Sequence, residues 1–207
     1  MDRGGPRRTH LEPTARQRTP RRKLYAADIN VVRTFDLATG KPGAAYEVPG
    51  ATFLNGIAVS KDGAVYVSNT QNPEVVYKIT AEGAVSTFAS GAPLTRPNGV
   101  AMDQNGNIVV VNLGSKDVLI FNPKGKLILT EQVAESGNDG VVVLKDGTKY
   151  VSSVRFGSVC RIRPGQKFEV IATGIPSAAS MGYDSKQHPL VIPMNANNAL
   201  AFIKLND

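Results

Sequence analysis

The stretch "RPNGVAMDQNGNIVVVNLGSKDVLIFNPKGK", Arg96–Lys126, decides the fold. An Asn-Gly pair opens an apolar run. A polar turn with a second Asn-Gly follows, then two further apolar runs, the last ending at Asn-Pro. Gly accepts positive φ and Asn tolerates it, so such pairs between β-branched runs read as turns between short strands.

The same pattern recurs along the chain. "FLNGIAVSKDGAVYVSNT" (Phe53–Thr70) aligns with "RPNGVAMDQNGNIVVVNL" (Arg96–Leu113). "GNDGVVVLKDGTKYVSSV" (Gly137–Val154) is a third copy, and "SAASMGYDSKQHPLVIPM" (Ser177–Met194) a decayed fourth. Asn55, Asn98, Asp139 and Ala179 occupy the matching position, at spacings of 43, 41 and 40. A period near forty with strand-like content predicts propeller blades, one four-stranded antiparallel sheet per repeat.

Within each copy a first strand is expected after the Asn/Asp-Gly pair, at 57–60, 100–103 and 141–144. A hairpin turn comes next (61–63, 104–106, 145–147). The second strands "AVYVSN", "NIVVVN" and "TKYVSS" have the content of strands buried on both faces. Third and fourth strands complete each blade. The expected partition is a partial blade at 24–50, blades at 51–93, 94–135 and 136–176, and a partial blade at 177–207. The first lacks its innermost strand and the last its outermost, giving eighteen strands in an all-β propeller of four to five blades. An unclosed ring leaves the two terminal sheets wet, with Val31, Val32, Val191 and Ile192 expected to be exposed. Self-association through those edges is the corresponding expectation.

Composition narrows the classes. There are 20 Gly and 13 Pro in 207 residues, and no segment has the period of an amphipathic helix. No apolar run reaches the ~18 residues of a membrane span. Of the net charge of +7, +6 sits in the first 23 residues, which hold eight Lys/Arg and two acids; the other 184 hold sixteen bases and fifteen acids, a net +1. That Arg/Pro-rich tail, 1–23, is too poor in apolar residues to cover the entropy of ordering and is expected to be disordered. The other reading of such a segment is a phosphate-binding arm; no nucleic-acid partner and no membrane is expected. The segment lacks the apolar core of a signal peptide, and localisation stays open. Cys160 is the only cysteine, so no intrachain disulfide forms.

In a propeller the first strand of each blade lines the central channel. Residues just before it, and the loop between second and third strands, share one mouth. This converges Asn55, Asn98 and Asp139, with Asp28, Asn69, Asn112 and Arg155 around them. Such a ring of oxygen donors suits a hard cation, although hard cations usually take more carboxylates. The alternative is that each Asn/Asp-Gly pair only makes the inter-blade turn. His10 lies in the tail and His188 in a turn at the opposite mouth, so no His or Cys cluster exists.

At "FLNGIAV", "PNGVAMD", "NDGVVV" and the closing "MGYDSKQHPLVIPMNANNALAFIKL" the sequence resembles the senescence-marker/regucalcin/gluconolactonase family of six-bladed propellers, and more loosely the NHL-repeat propellers. The resemblance covers 24–205. It implies a divalent metal (Ca²⁺, Mg²⁺ or Zn²⁺) at the channel mouth, with Asn98 and Asp139 as ligands and Asp139 also catalytic. It implies substrate contacts from Asn55, to which the mouth geometry adds Arg155 and Asn112. The family's third ligand, a Glu of the first blade, falls where this chain carries the basic tail, so the resemblance implies a truncated member. A metal-dependent lactonase or esterase, impaired by that loss, is the first functional expectation. A non-catalytic propeller binding a small molecule or protein at the Asn-rich mouth is the second. An antibiotic-inactivating lyase of the NHL-like type is a third, and it needs a general-base His at the mouth.

Overall fold

The structure, a computed structural model, describes residues 23–205. The expectation for the tail at 1–22 lies outside the described residues. Lys23 is already the first residue of a strand.

Five antiparallel sheets follow in chain order. The first is β1 (Lys23–Asp28), β2 (Val31–Asp36) and β3 (Pro42–Glu47). The second is β4 (Leu54–Val59), β5 (Val65–Asn69), β6 (Val75–Ile79) and β7 (Val85–Ser90). The third is β8 (Pro97–Met102), β9 (Ile108–Asn112), β10 (Asp117–Phe121) and β11 (Leu127–Gln132). The fourth is β12 (Asn138–Val143), β13 (Lys149–Ser153), β14 (Ser158–Ile162) and β15 (Glu169–Ala172). The fifth is β16 (Gly182–Tyr183), β17 (Pro189–Met194) and β18 (Ala199–Lys204). Each sheet is a simple meander, and the sheets are arranged as propeller blades. Among the described residues the only helical element is a 3₁₀ turn at Asn195–Asn197.

Burial follows position along the blade radius. Every residue of β5, β9 and β13 is buried, as their β-branched content predicted. The outer strands β7, β11 and β15 are largely exposed or half-buried. Four buried apolar clusters hold the blades together, each between consecutive sheets. Ile108 and Leu119 serve the second-to-third junction, and Val109 and Val118 the third-to-fourth. None of the four joins the first sheet to the fifth.

Two expectations need correction. The first strands begin before, not after, the Asn/Asp-Gly pair, so Asn55-Gly56, Asn98-Gly99 and Asp139-Gly140 lie inside β4, β8 and β12. Each pair sits at a register irregularity against the second strand, between Leu54 and Ile57, Pro97 and Val100, and Asn138 and Val141. A bulge re-aims side chains locally, and here it turns one Asn or Asp per blade toward the mouth. The second correction concerns exposure. Val32 and Ile192 are fully buried, because they face the second and fourth sheets. The exposed apolar residues of the terminal sheets are instead Leu24 (52%), Leu200 (53%) and Phe202 (64%). On β18 these alternate with Ala201 and Ile203, which pack inward.

Candidate functional site at the channel mouth

The glycine of each pair has a packing reason. A Cβ on Gly56 would stand 2.1 Å from the Asn98 carbonyl oxygen, and one on Gly99 2.4 Å from that of Asp139. On Gly140 it would meet the Met181 nitrogen at 2.7 Å. Inner strands of successive blades touch backbone to backbone here, which brings the preceding Asn and Asp side chains into one space. Two serines lock the approach. Ser68 Oγ accepts from the Gly56 N–H at 2.9 Å and donates to the Asn98 carbonyl of the next blade. Ser152 Oγ repeats this, accepting from Gly140 N–H at 2.9 Å and donating to the Ala179 carbonyl at 2.8 Å.

A cavity of about 470 Å³ opens at this mouth. Asn55, Asn98, Asp139 and Ala179, the four matching repeat positions, all line it. Asn98 is 2% exposed, and its Nδ2 donates to Asp139 Oδ2 at 3.4 Å. Its Oδ1 is buried without a hydrogen-bond partner among the described residues. Ser180 Oγ donates to Asp139 Oδ1 at 3.0 Å. Burial pushes the Asp139 carboxyl above its ordinary value, against the hydrogen bonds from the Ser180 hydroxyl and N–H and from Asn98, which favour the charge.

Other residues predicted at the mouth are used differently. Asn69 Oδ1 accepts from the N–H groups of Thr52 and Phe53 at 2.9 and 2.7 Å, and its Nδ2 donates to Pro73 O at 2.6 Å. Asn112 is fully buried; its Oδ1 accepts from Thr95 N–H at 3.0 Å and its Nδ2 donates to Pro93 O at 3.3 Å. Both amides brace the loop that enters the inner strand, and neither reaches the cavity wall. Arg155 is exposed, with its guanidinium carbon 5.8 Å from the Phe156 ring centroid, and it does not line the cavity. Asp28 pairs with Arg33 at 2.6 Å and also lies outside the wall.

Several wall residues escaped the sequence reading, Arg96 and Ser180 among them. Arg96 is the cation of the wall; its backbone is left-handed at φ 50°, and its N–H donates to Glu74 Oε1 at 2.7 Å. Ser180 stands where the other three copies have Gly. A side chain is tolerated there because Ser180 is exposed, and no inner strand among the described residues sits on it. The signal existed: a serine in the glycine column of the repeat alignment.

The donor set fits a hard divalent cation in part. Asn98 Oδ1 is an orphaned buried acceptor and Asp139 an adjacent carboxylate. Among the described residues no cluster of three His, Cys, Asp or Glu side chains exists that would hold a metal by itself.

Solved structures with this fold include a streptogramin B lyase, with a TM-score of 0.68 and 14% identity over 89% of this chain and 66% of the lyase. A gluconolactonase from Xanthomonas campestris superposes with a TM-score of 0.66 and 18% identity, over 84% of this chain and 66% of that one. An auxiliary nutrient binding protein from Bacteroides thetaiotaomicron gives 0.70 and 13%, over 88% and 52%. The chain spans 66% or less of the length of these three structures, and at such identities the likeness carries the fold alone. No curated protein sequence matches significantly. The model of the SMP-30/gluconolactonase/LRE-like region matches residues 34–136, which hold two of the four matching inner-strand positions, Asn55 and Asn98, while Asp139 and Ala179 lie beyond it. That region, just under half of the chain, matches the SMP-30/gluconolactonase/LRE-like family and fits the resemblance read from the sequence.

Proposed function

We propose that the channel mouth hydrolyses a lactone or similar ester with a divalent cation held by Asn98 and Asp139. The observation that carries this reading is the unpartnered, buried Asn98 Oδ1 beside a desolvated carboxylate. Leaving such an acceptor unpaired costs about 1–3 kcal/mol, a cost a ligand at the mouth removes. When bound, such a cation polarises an ester carbonyl and acidifies water.

The chain's own residues supply the rest. Asp139, made more basic by burial, takes the proton from the water whose oxygen attacks the ester carbon. As the ring C–O bond breaks, it returns that proton to the departing alkoxide. The Ser180 hydroxyl fixes Oδ1 and leaves Oδ2 toward Asn98. Asn55, half-buried in the wall, and the Arg96 guanidinium are placed to bind polar substituents of the substrate.

The test is lactone opening followed by pH-stat, using a simple δ-lactone with calcium, magnesium or zinc. Asp139→Asn is expected to lower the cation-dependent rate by about 10²–10⁴. Equal rates in parent and variant would sink the reading. The second reading, a propeller that binds a small molecule without catalysis, is favoured by one feature. Asp139 is the single carboxylate in the cavity wall among the described residues. A lyase has less support: His188 lies in the turn between β16 and β17, away from this wall.

A further inference from the structure

The inner strands that carry Asn55, Asn98 and Asp139 carry Val59, Met102 and Val143 four residues further on. At ~3.3 Å per residue these lie about 13 Å away, at the other end of the channel. A second cavity, of about 680 Å³, opens there. The three apolar side chains line it together with Tyr66 and Lys78. Lys61 and Lys145, from the hairpin turns, stand in its wall as well.

Tyr66 is only 3% exposed, and its ring packs edge-on against Phe88 at 4.9 Å. Its hydroxyl has no hydrogen-bond partner among the described residues, although the residue lines the cavity. Lys78 Nζ lies 5.7 Å from the Tyr66 ring centroid and makes no ion pair within 4.0 Å among the described residues. The fourth blade shows what a closed version looks like. Tyr150 pairs with Arg161 in the same register as Tyr66 with Lys78. There Arg161 faces Glu169 on the outer strand, and the two ions meet at 2.7 Å. In the second blade the outer-strand residue facing Lys78 is Ser86, so the cation has no carboxylate across from it. Two acids, Asp62 and Asp103, stand in the same wall, where the three lysines outnumber them. The Asp62 carboxyl is held low chiefly by the Ser60 hydroxyl and feels the Lys78 charge more weakly, and each acid is hydrogen-bonded within its own turn. Asp62 accepts from the Ser60 hydroxyl, and Asp103 accepts from the N–H groups of Asn105 and Asn107 at 2.8 Å.

We infer that this second mouth is a binding site for an amphiphilic organic anion. Its carboxylate or sulfonate is held by the Lys78 ammonium and the Tyr66 hydroxyl. Its apolar body lies against Val59, Met102 and Val143, and Lys61 and Lys145 add positive potential at the rim. Pockets of this size take small organic ligands, with few polar groups fixing their orientation. The inference is independent of any activity at the other mouth.

Isothermal titration of the full chain with octanoate, octanol and octyltrimethylammonium tests it. Octanoate is expected to bind at least tenfold more tightly than either of the others. Lys78→Gln and Tyr66→Phe are each expected to weaken it about tenfold, the loss of one charge-assisted hydrogen bond. Phe202→Ser, which alters the exposed apolar face of the last blade, is expected to leave octanoate binding unchanged. Equal affinity for the three probes, absence of binding, parent-like affinity in Lys78→Gln, or loss of binding in Phe202→Ser would each overturn the inference.

Discussion

Gly99→Ala probes the feature on which the whole mouth depends, the backbone contact between β8 and β12. The added Cβ would lie 2.4 Å from the Asp139 carbonyl oxygen, 3.0 Å from Val111 Cγ2 and 3.1 Å from the Val141 nitrogen. Two of these three are backbone atoms of the next blade's inner strand, so no rotamer change relieves the contact. The blades must part at the channel. Overpacking of a tight interior costs about 1–3 kcal/mol, and the rigid backbone partner places this site at the upper end. Parting the strands also stretches the Asn98–Asp139 hydrogen bond, already 3.4 Å long, worth about 1 kcal/mol. The expected loss is therefore about 3–4 kcal/mol, or a drop of about 6–16 °C in Tm for a domain of this size. Thermal and urea denaturation followed by far-ultraviolet circular dichroism measures it. Gly182→Ala is the control, because a Cβ there meets nothing within 4 Å and φ is not positive; it should be neutral or slightly stabilising. A Gly99→Ala protein melting within about 2 °C of the parent would refute the close-packing argument.

Two further outcomes are expected. The raised Asp139 carboxyl makes its neutral form the better buried one, so the stability it contributes is full below the ordinary value of 3.8 and is lost as pH rises through the raised folded value. Cation-free Asp139→Asn should therefore melt above the parent at neutral pH, with the difference shrinking as pH falls toward that ordinary value; a constant difference across the titration would show that burial does not govern this group. The exposed Leu24, Leu200 and Phe202 on the terminal blades should drive concentration-dependent association, weakened by Phe202→Ser. Sedimentation of a compact monomer at tens of micromolar would contradict it.

The blade pattern was legible because it rests on chemistry that repeats. Hairpin turns at 61–63, 104–106 and 145–147 and the continuous β-branched runs of β5, β9 and β13 are local signals, and all three copies carry them. The convergence of Asn55, Asn98 and Asp139 followed from equal spacing on a radial fold. The same logic mistook Asn69 and Asn112 for mouth ligands. Position along a strand says which end of a blade a side chain occupies, but not whether its amide is consumed by nearby N–H groups. The Asn-Gly pairs were read as turns because glycine serves two purposes, positive φ and close approach, and sequence alone does not separate them. Arg96 was hidden by its left-handed backbone, which no residue type at that position announces. Exposure at Val32 and Ile192 was misjudged because each terminal sheet keeps one packed face, and choosing the wet one requires the register.

The most direct test of the mouth as a cation-dependent site is thermal melting against calcium and magnesium, for the parent, Asp139→Asn and Asp28→Asn. At a hundredfold excess over Kd a bound ion stabilises by about 2.7 kcal/mol, or about 5–11 °C at this size. The parent and Asp28→Asn should both show such a shift, since Asp28 is paired with Arg33 outside the cavity. Asp139→Asn should show none. A parent that does not respond to either ion, or an Asp139→Asn protein that responds as the parent does, would contradict the assignment.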